Sequence, residues 1–227
     1  MSSNEESPAS PAFDMSNLER VRLGVMRSDP SLLETAVRSV LIHYFYHVSN
    51  KRIVEVVPDH PGGSTALQVI TPTEFRGRGR IRLAGSVMLG VASSPGAYAS
   101  SYLEARTEQS LIEIGKRTII NNRASILSDG AAVHIGERCM IGQELLVTDS
   151  NFHELAVAQR GITDQNPQPV WIGNDVFIGA RVTILKGCRI GDGAVIGAGS
   201  MLKPGFEVPP LAIVSGNPAR VVGTVAQ

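Results

Sequence analysis

The stretch from Thr148 to Pro169 carries the side chains of this sequence whose types could move a proton. It contains Thr148-Asp-Ser-Asn-Phe-His153 and, further on, Arg160-Gly161, and His153 is its only histidine. A neutral imidazole, with a pKa of about 6.5, takes a proton from an alcohol or an amine at neutral pH. Asp149 is of the type that orients such a ring or stabilises the imidazolium. A lone histidine is more often structural or simply exposed. What favours catalysis here is position, because His153 stands at the foot of the one long interruption in an otherwise regular scaffold.

That scaffold is written as a comb. Ile172, Ile178, Ile184, Ile190, Ile196, Leu202, Val208 and Val214 stand six residues apart without a slip. A helix repeats its apolar face every 3.6 residues and a strand every 2, so neither accounts for this period. A chain that turns a corner after every six residues does, because each aliphatic side chain then points into the axis of a triangular coil. Ile114, Ile120 and Ile126 continue the comb upstream, as do Ile135, Ile141 and Val147. The step from Ile126 to Ile135 carries a three-residue excursion. The step from Val147 to Ile172 predicts a loop over 148–169.

A second column follows four residues after the comb: Thr118, Ala124, Gly130, Cys139, Leu145, Val176, Val182, Cys188, Ala194, Ser200 and Phe206. These are expected to share the interior, which makes Cys139 and Cys188 small buried hydrophobes rather than nucleophiles or a disulfide. Glycine follows the comb at 115, 136, 142, 173, 179, 191 and 197, where a tight corner calls for a residue without Cβ.

The rest of the chain reads as an extension before the coils. Residues 1–14 are rich in Ser, Pro and Glu and are expected to be disordered. Helices are predicted over 15–50, one from Ser16 to about Met26 and one starting at Ser28-Asp29-Pro30-Ser31 with Glu34. The second places Leu33, Val37, Val40, Leu41, Tyr44, Phe45 and Val48 on a face that needs a partner, the solenoid flank or a neighbouring subunit. Residues 51–110 are expected to hold strands at Arg52–Val57 and Thr65–Thr71, a first coil around Ile81 and Val87, and a loop or hairpin over 92–108. Regular coils are expected over 111–222, with Val208-Pro-Pro and Gly216-Asn-Pro-Ala-Arg220 closing the open edge.

Bulk composition excludes other classes. Lys plus Arg equals Asp plus Glu, at 21 each, so no basic field suits nucleic acid or an anionic membrane surface. Only 5% of residues are aromatic, which fits thin coils filled by Ile, Val and Ala. The N-terminus lacks the pattern of a signal peptide, and no apolar run approaches the roughly 20 residues of a membrane span. A cytoplasmic, soluble protein is the expectation.

From Ile135 to Arg220 the chain resembles the hexapeptide-repeat acyltransferases, in particular the branch with galactoside, maltose, serine, streptogramin and polysaccharide O-acetyltransferases. The residues that carry the resemblance are Val170-Trp-Ile-Gly-Asn-Asp-Val-Phe-Ile-Gly179, Ile190-Gly-Asp-Gly-Ala-Val-Ile-Gly-Ala-Gly-Ser200 and Gly216-Asn-Pro-Ala-Arg220. Tyr102-Leu-Glu-Ala-Arg106 and Asp149-Ser-Asn-Phe-His153 are similar to the versions in polysaccharide-modifying members. The resemblance implies an all-β fold, a left-handed parallel β-helix with a small N-terminal helical extension, assembled as a homotrimer with sites between neighbouring coils. It implies acetyl-CoA as co-substrate, no metal, and His153 as general base in direct transfer to a sugar hydroxyl of a surface polysaccharide or its precursor. Ala180 and Ala198 match corners that meet the pantetheine arm. Lys203 and Arg220 fall near positions that meet the CoA phosphates. Asn121 and Asn122 are candidates to hold the sugar, with an internal asparagine ladder as the alternative. Two departures bear on CoA contact: Phe177 stands where a Trp is common, and Pro204 where a Lys is common.

Other readings are an N-acetyltransferase of an amino sugar or antibiotic and a non-catalytic scaffold. A carbonic anhydrase on the same fold needs three histidines converging on zinc. Of His43, His47, His60, His134 and His153, only His134 and His153 lie in the coils.

Overall fold

The computed structural model describes residues 30–63 and 67–226, with side chains of the helix from Leu33 onward. The expected disorder of 1–14 and the helix at Ser16–Met26 lie outside the described residues. From Val54 the chain winds a left-handed parallel β-helix of three faces. The first face stacks Val54–Val57, Arg80–Ala84, Leu111–Ile114, Ala132–Ile135, Val170–Ile172, Arg189–Ile190 and Glu207–Val208. The second stacks Gln68–Val69, Met88–Leu89, Ile119–Ile120, Met140–Ile141, Phe177–Ile178, Val195–Ile196 and Ala212–Gly216. The third stacks Thr73–Gly77, Ser101–Ala105, Ser125–Ser128, Leu146–Thr148, Thr183–Ile184 and Met201–Leu202.

The comb is the axis of this prism. Ile172 pairs with Ile190 and Ile190 with Val208 on the first face, while Ile178, Ile196 and Val214 do the same on the second. Three hexads make one coil, so residues 18 apart stack. All comb positions from Ile114 to Val214 are buried, and so is most of the second column, with Gly130 and Phe206 half-buried. Cys139 and Cys188 are free and fully buried, and burial pushes both thiols up.

The coils start earlier than expected. Leu83, Leu89 and Leu103 pair with Ile114, Ile120 and Ile126, so they are the next comb positions upstream. Ile81 and Val87 are interior but are not comb residues. The expected loop or hairpin over 92–108 contains Ser101–Ala105, a full strand of the third face. It escapes the six-residue rule because 90–100 bulges out and shifts the register.

The corner glycines need correction in their reason. None of Gly115, Gly136, Gly142, Gly173, Gly179, Gly191 or Gly197 has positive φ. Their Cβ would instead strike the next coil: at Gly179 it would lie 2.6 Å from the Ala198 nitrogen. The left-handed residue falls three after the comb. It is Arg117, Arg123, Arg138, Glu144, Asp175 and Arg181 in the earlier coils, Gly187, Gly193, Gly199 and Gly205 later, and Leu211 at the last corner.

The helix Pro30–Val48 leads into the prism. Ser49 joins them, its Oγ donating to the Phe45 carbonyl at 2.6 Å and accepting from the Phe75 N–H at 2.9 Å. Ala36 and Tyr46 are buried, but Leu33, Val37, Val40 and Tyr44 of the expected packing face are exposed in the protomer. The helix reaches the wall near the strand Thr73–Gly77, while Leu41, Phe45 and Val48 of the same face are half-buried. At the other end, Ala219–Thr224 folds back antiparallel onto Ala212–Gly216 and covers the last edge of the second face.

Candidate active site

The long loop leaves the prism after Leu146–Thr148 and returns at Val170–Ile172, at the edge where the third face turns into the first. Its two feet are tied together, because the Gln168 N–H donates to the Asp149 carbonyl at 2.8 Å. The Asp149 side chain is fully buried. Its Oδ1 accepts from the Asp129 N–H at 2.7 Å, and its Oδ2 from Ser128 Oγ at 2.7 Å and the Ala131 N–H at 3.0 Å. Burial pushes this carboxyl up, against the pull of those bonds. Asp149 therefore anchors the loop to the coil below. It makes no hydrogen bond to His153, and the expected ring-orienting role is corrected to this one. The reason is supply of donors: the excursion at 129–131 offers two backbone N–H groups that would otherwise be buried without a partner.

A second carboxylate holds the loop from inside. Asp164 Oδ2 accepts from Lys186 Nζ at 2.6 Å, the Asn151 N–H at 2.8 Å and Ser150 Oγ at 3.3 Å, and Oδ1 accepts from the Asn166 N–H at 3.0 Å. Lys186 also donates to the Asn166 carbonyl. Burial pushes the Asp164 carboxyl up, but these donors outweigh it and hold the pKa at about 2. Sequence reasoning missed this pair. The available signal was Lys186 at a corner position that Asn174, Ala180, Asp192, Ala198 and Pro204 fill elsewhere.

His153 sits on the exposed side of the loop and lines a cavity of about 300 Å³ with Asn151, Glu154, Leu155 and Arg160. The residue before it, Phe152, has φ of 63°. Its ring lies under the Arg106 guanidinium, 4.7 Å from the centroid, so the two segments Tyr102–Arg106 and Asp149–His153 meet. The loop tip presents apolar side chains to solvent, with Leu155 73% and Val157 79% exposed.

The remaining candidates fall on two other sites. Asn121, Asn122, Ala180 and Ala198 stack along the edge where the second face turns into the third, apart from the loop edge. Asn122 is fully buried. Its Oδ1 accepts from the Val91 N–H and Thr71 Oγ1, and its Nδ2 donates to the carbonyls of Val91, Ser94 and Pro95. Asn121 bonds Ser94 Oγ and the Asn122 N–H. Both asparagines hold the 91–95 bulge, so sugar binding by Asn122 is corrected to a structural role, because no polar atom of its amide is left over. Ala180 is half-buried and Ala198 exposed. Lys203 and Arg220 come together at the end of the prism, lining a cavity of about 430 Å³ with Phe206 and Glu207. Neither cation is in an ion pair among the described residues. Among the described residues no three His, Cys, Asp or Glu side chains cluster as a metal requires. His134 is separate, stacked on Trp171 and bonded to Glu113 at 2.7 Å.

Residues 169–204 match the family described as bacterial transferase hexapeptide (six repeats). That stretch of the coils is similar to the hexapeptide-repeat transferases. The chain is 34% identical over 111 residues to the galactoside O-acetyltransferase of Escherichia coli (strain K12), covering 49% of this chain and 53% of that protein. It is 35% identical over 102 residues to serine acetyltransferase 4 of Arabidopsis thaliana, covering 44% of this chain and 26% of that one. The match thus spans about half, or less, of these relatives. In fold, the polysialic acid O-acetyltransferase OatWY superposes with a TM-score of 0.51 at 20% identity, over 77% of this chain and 90% of that one. The hexapeptide-repeat match begins at the returning foot of the loop that carries His153.

Proposed function

We propose that this chain is an acetyl-CoA-dependent O-acetyltransferase that transfers acetyl to a sugar hydroxyl, with His153 as general base. The carrying observation is the cavity at His153, held on a loop anchored at both feet to hexapeptide-transferase coils. The sugar hydroxyl oxygen attacks the thioester carbonyl as its proton passes to the imidazole. The tetrahedral intermediate collapses, the C–S bond breaks, and the CoA thiolate takes that proton back from the imidazolium. Holding both substrates at once removes much of the entropic barrier. A surface polysaccharide or its precursor is the proposed acceptor, and the cytoplasm, where acetyl-CoA is supplied, the proposed compartment.

Acetyl-CoA would lie along the edge with Ala180 and Ala198, where small side chains allow close approach, with Lys203 and Arg220 offsetting phosphate charge. In one protomer the alanine edge and the His153 edge are different edges of the prism. A homotrimer, in which the loop of one subunit meets the alanine edge of the next, unites them. Two exposed apolar features support such an assembly. One is the loop tip. The other is a row on the outside of the second face, Met88, Ile119, Met140, Phe177, Val195 and Ile213, with Met140 58% and Phe177 49% exposed.

The test is release of free thiol from acetyl-CoA in the presence of a panel of sugars, with mass spectrometry of the products. His153→Ala is expected to lower turnover by about two orders of magnitude or more while CoA binding is retained. Near-normal turnover in that variant would remove His153 from the mechanism.

A further inference from the structure

We infer that Arg106 is a positioning residue that fixes His153 through the ring of Phe152, an inference that rests on His153 being the base. Phe152 immediately precedes His153 and holds a left-handed backbone, a conformation that a bulky residue keeps only where its surroundings over-determine it. Whatever fixes Phe152 therefore sets the direction in which the chain presents the imidazole. Three contacts do so. The Phe152 N–H donates to Ser150 Oγ at 2.9 Å, its carbonyl accepts from the Asp164 N–H at 3.3 Å, and its ring packs 4.7 Å from the Arg106 guanidinium.

Arg106 is itself immobilised. Its Nη2 and Nε donate to the two oxygens of Glu104 at 2.9 and 3.3 Å, and its Nη1 donates to Asp129 Oδ2 at 3.3 Å. The Asp129 side chain is 2% exposed, and its backbone N–H donates to Asp149 Oδ1. The contacts form a chain from Asp149 at the loop's first foot through Asp129 and Arg106 to Phe152, the residue before His153. With its N–H groups turned to two carboxylates, the guanidinium still lies over the Phe152 ring. A planar group that bonds in its own plane and stacks above it is a property of Arg that Lys lacks. Arg106 acts from the wall of the prism, on a part of the loop otherwise held by Ser150 and Asp164 within the loop itself.

A mutant cycle tests this. Arg106→Met is expected to lower kcat about ten- to a hundred-fold, the scale of a small misplacement of a reacting group, with the KM for acetyl-CoA within about two-fold of the parent. Arg106→Lys is expected to recover only part of the loss. Added to His153→Ala, Arg106→Met is expected to cost nothing more. A double variant slower than His153→Ala by the factor seen in the parent would overturn the proposal, because Arg106 would then act by a route that bypasses His153. Hydrogen exchange read by mass spectrometry gives a measure independent of activity. Arg106→Met is expected to speed exchange at 150–154 and leave the coils unchanged, and unchanged exchange at 150–154 overturns the clamp. If His153→Ala keeps full turnover, the reading of His153 as base fails alone, and the exchange result still decides whether Arg106 holds the segment.

Discussion

The wall of coils after Val170 and the loop before it share one edge of the prism but are held by opposite chemistry. The wall is a stack of aliphatic side chains repeated every 18 residues, with backbone ladders on three faces. The loop has no buried aliphatic side chain among residues 149–169. Its buried side chains are Asp149, Ser150 and Asp164, and its attachment runs through hydrogen bonds to the coil below and to Lys186 of the coil above. Burial of apolar area is non-directional, so a comb tolerates many sequences that keep the period. A carboxylate with specified donors fixes one geometry, which is what the proposed base, His153, needs from its support.

This contrast predicts where each region breaks. Ile196→Ala in the wall leaves a cavity in the axis and is expected to cost about 2–5 kcal/mol of global stability, read as a lower unfolding midpoint. A midpoint unchanged by that variant would mean the comb does not carry the fold. Corner glycines follow. Gly179→Ala drives a Cβ to 2.6 Å from the Ala198 nitrogen and is expected to cost about 1–3 kcal/mol. The loop glycine, Gly161, has nothing within 4 Å of the added Cβ, so Gly161→Ala is expected within about 0.5 kcal/mol of the parent.

Acid separates the two regions by a different variable. The Asp164 pKa falls from 3.8 unfolded to about 2 folded. A depressed carboxyl stabilises the attached loop above the unfolded value, and that contribution, about 2 kcal/mol, is lost as pH falls from about 4 towards 2. Limited proteolysis across this range is expected to open 149–169 before the coils. In Asp164→Asn the loop is expected to be open already at neutral pH, and the acid step to disappear. Coils and loop opening together at one pH would show that the pair does not act locally.

The wall was largely legible in the sequence because its period is its structure. Ile172 to Val214 could be assigned to the axis from spacing alone, and both cysteines with them. The start of the coils was not legible, since the 90–100 bulge hides that Leu83, Leu89 and Leu103 belong to the same comb. The reason for the corner glycines was also hidden, because a close approach to the next coil leaves no mark in local dihedrals. The loop was found as a gap in the comb, and His153 as its histidine.

What the sequence by itself determined is the set of residues that face the axis and the place where the chain must leave it, because a hexad period admits one way of burying its aliphatic teeth. Only the tertiary structure decided the partners of the polar residues. It turned Asp149 and Asn122 into anchors, paired Asp164 with Lys186, and laid Arg106 over Phe152. Hydrogen bonds and ion pairs join residues far apart in the chain, and which donors reach which carboxylate follows from how the coils stack, which no local spacing encodes.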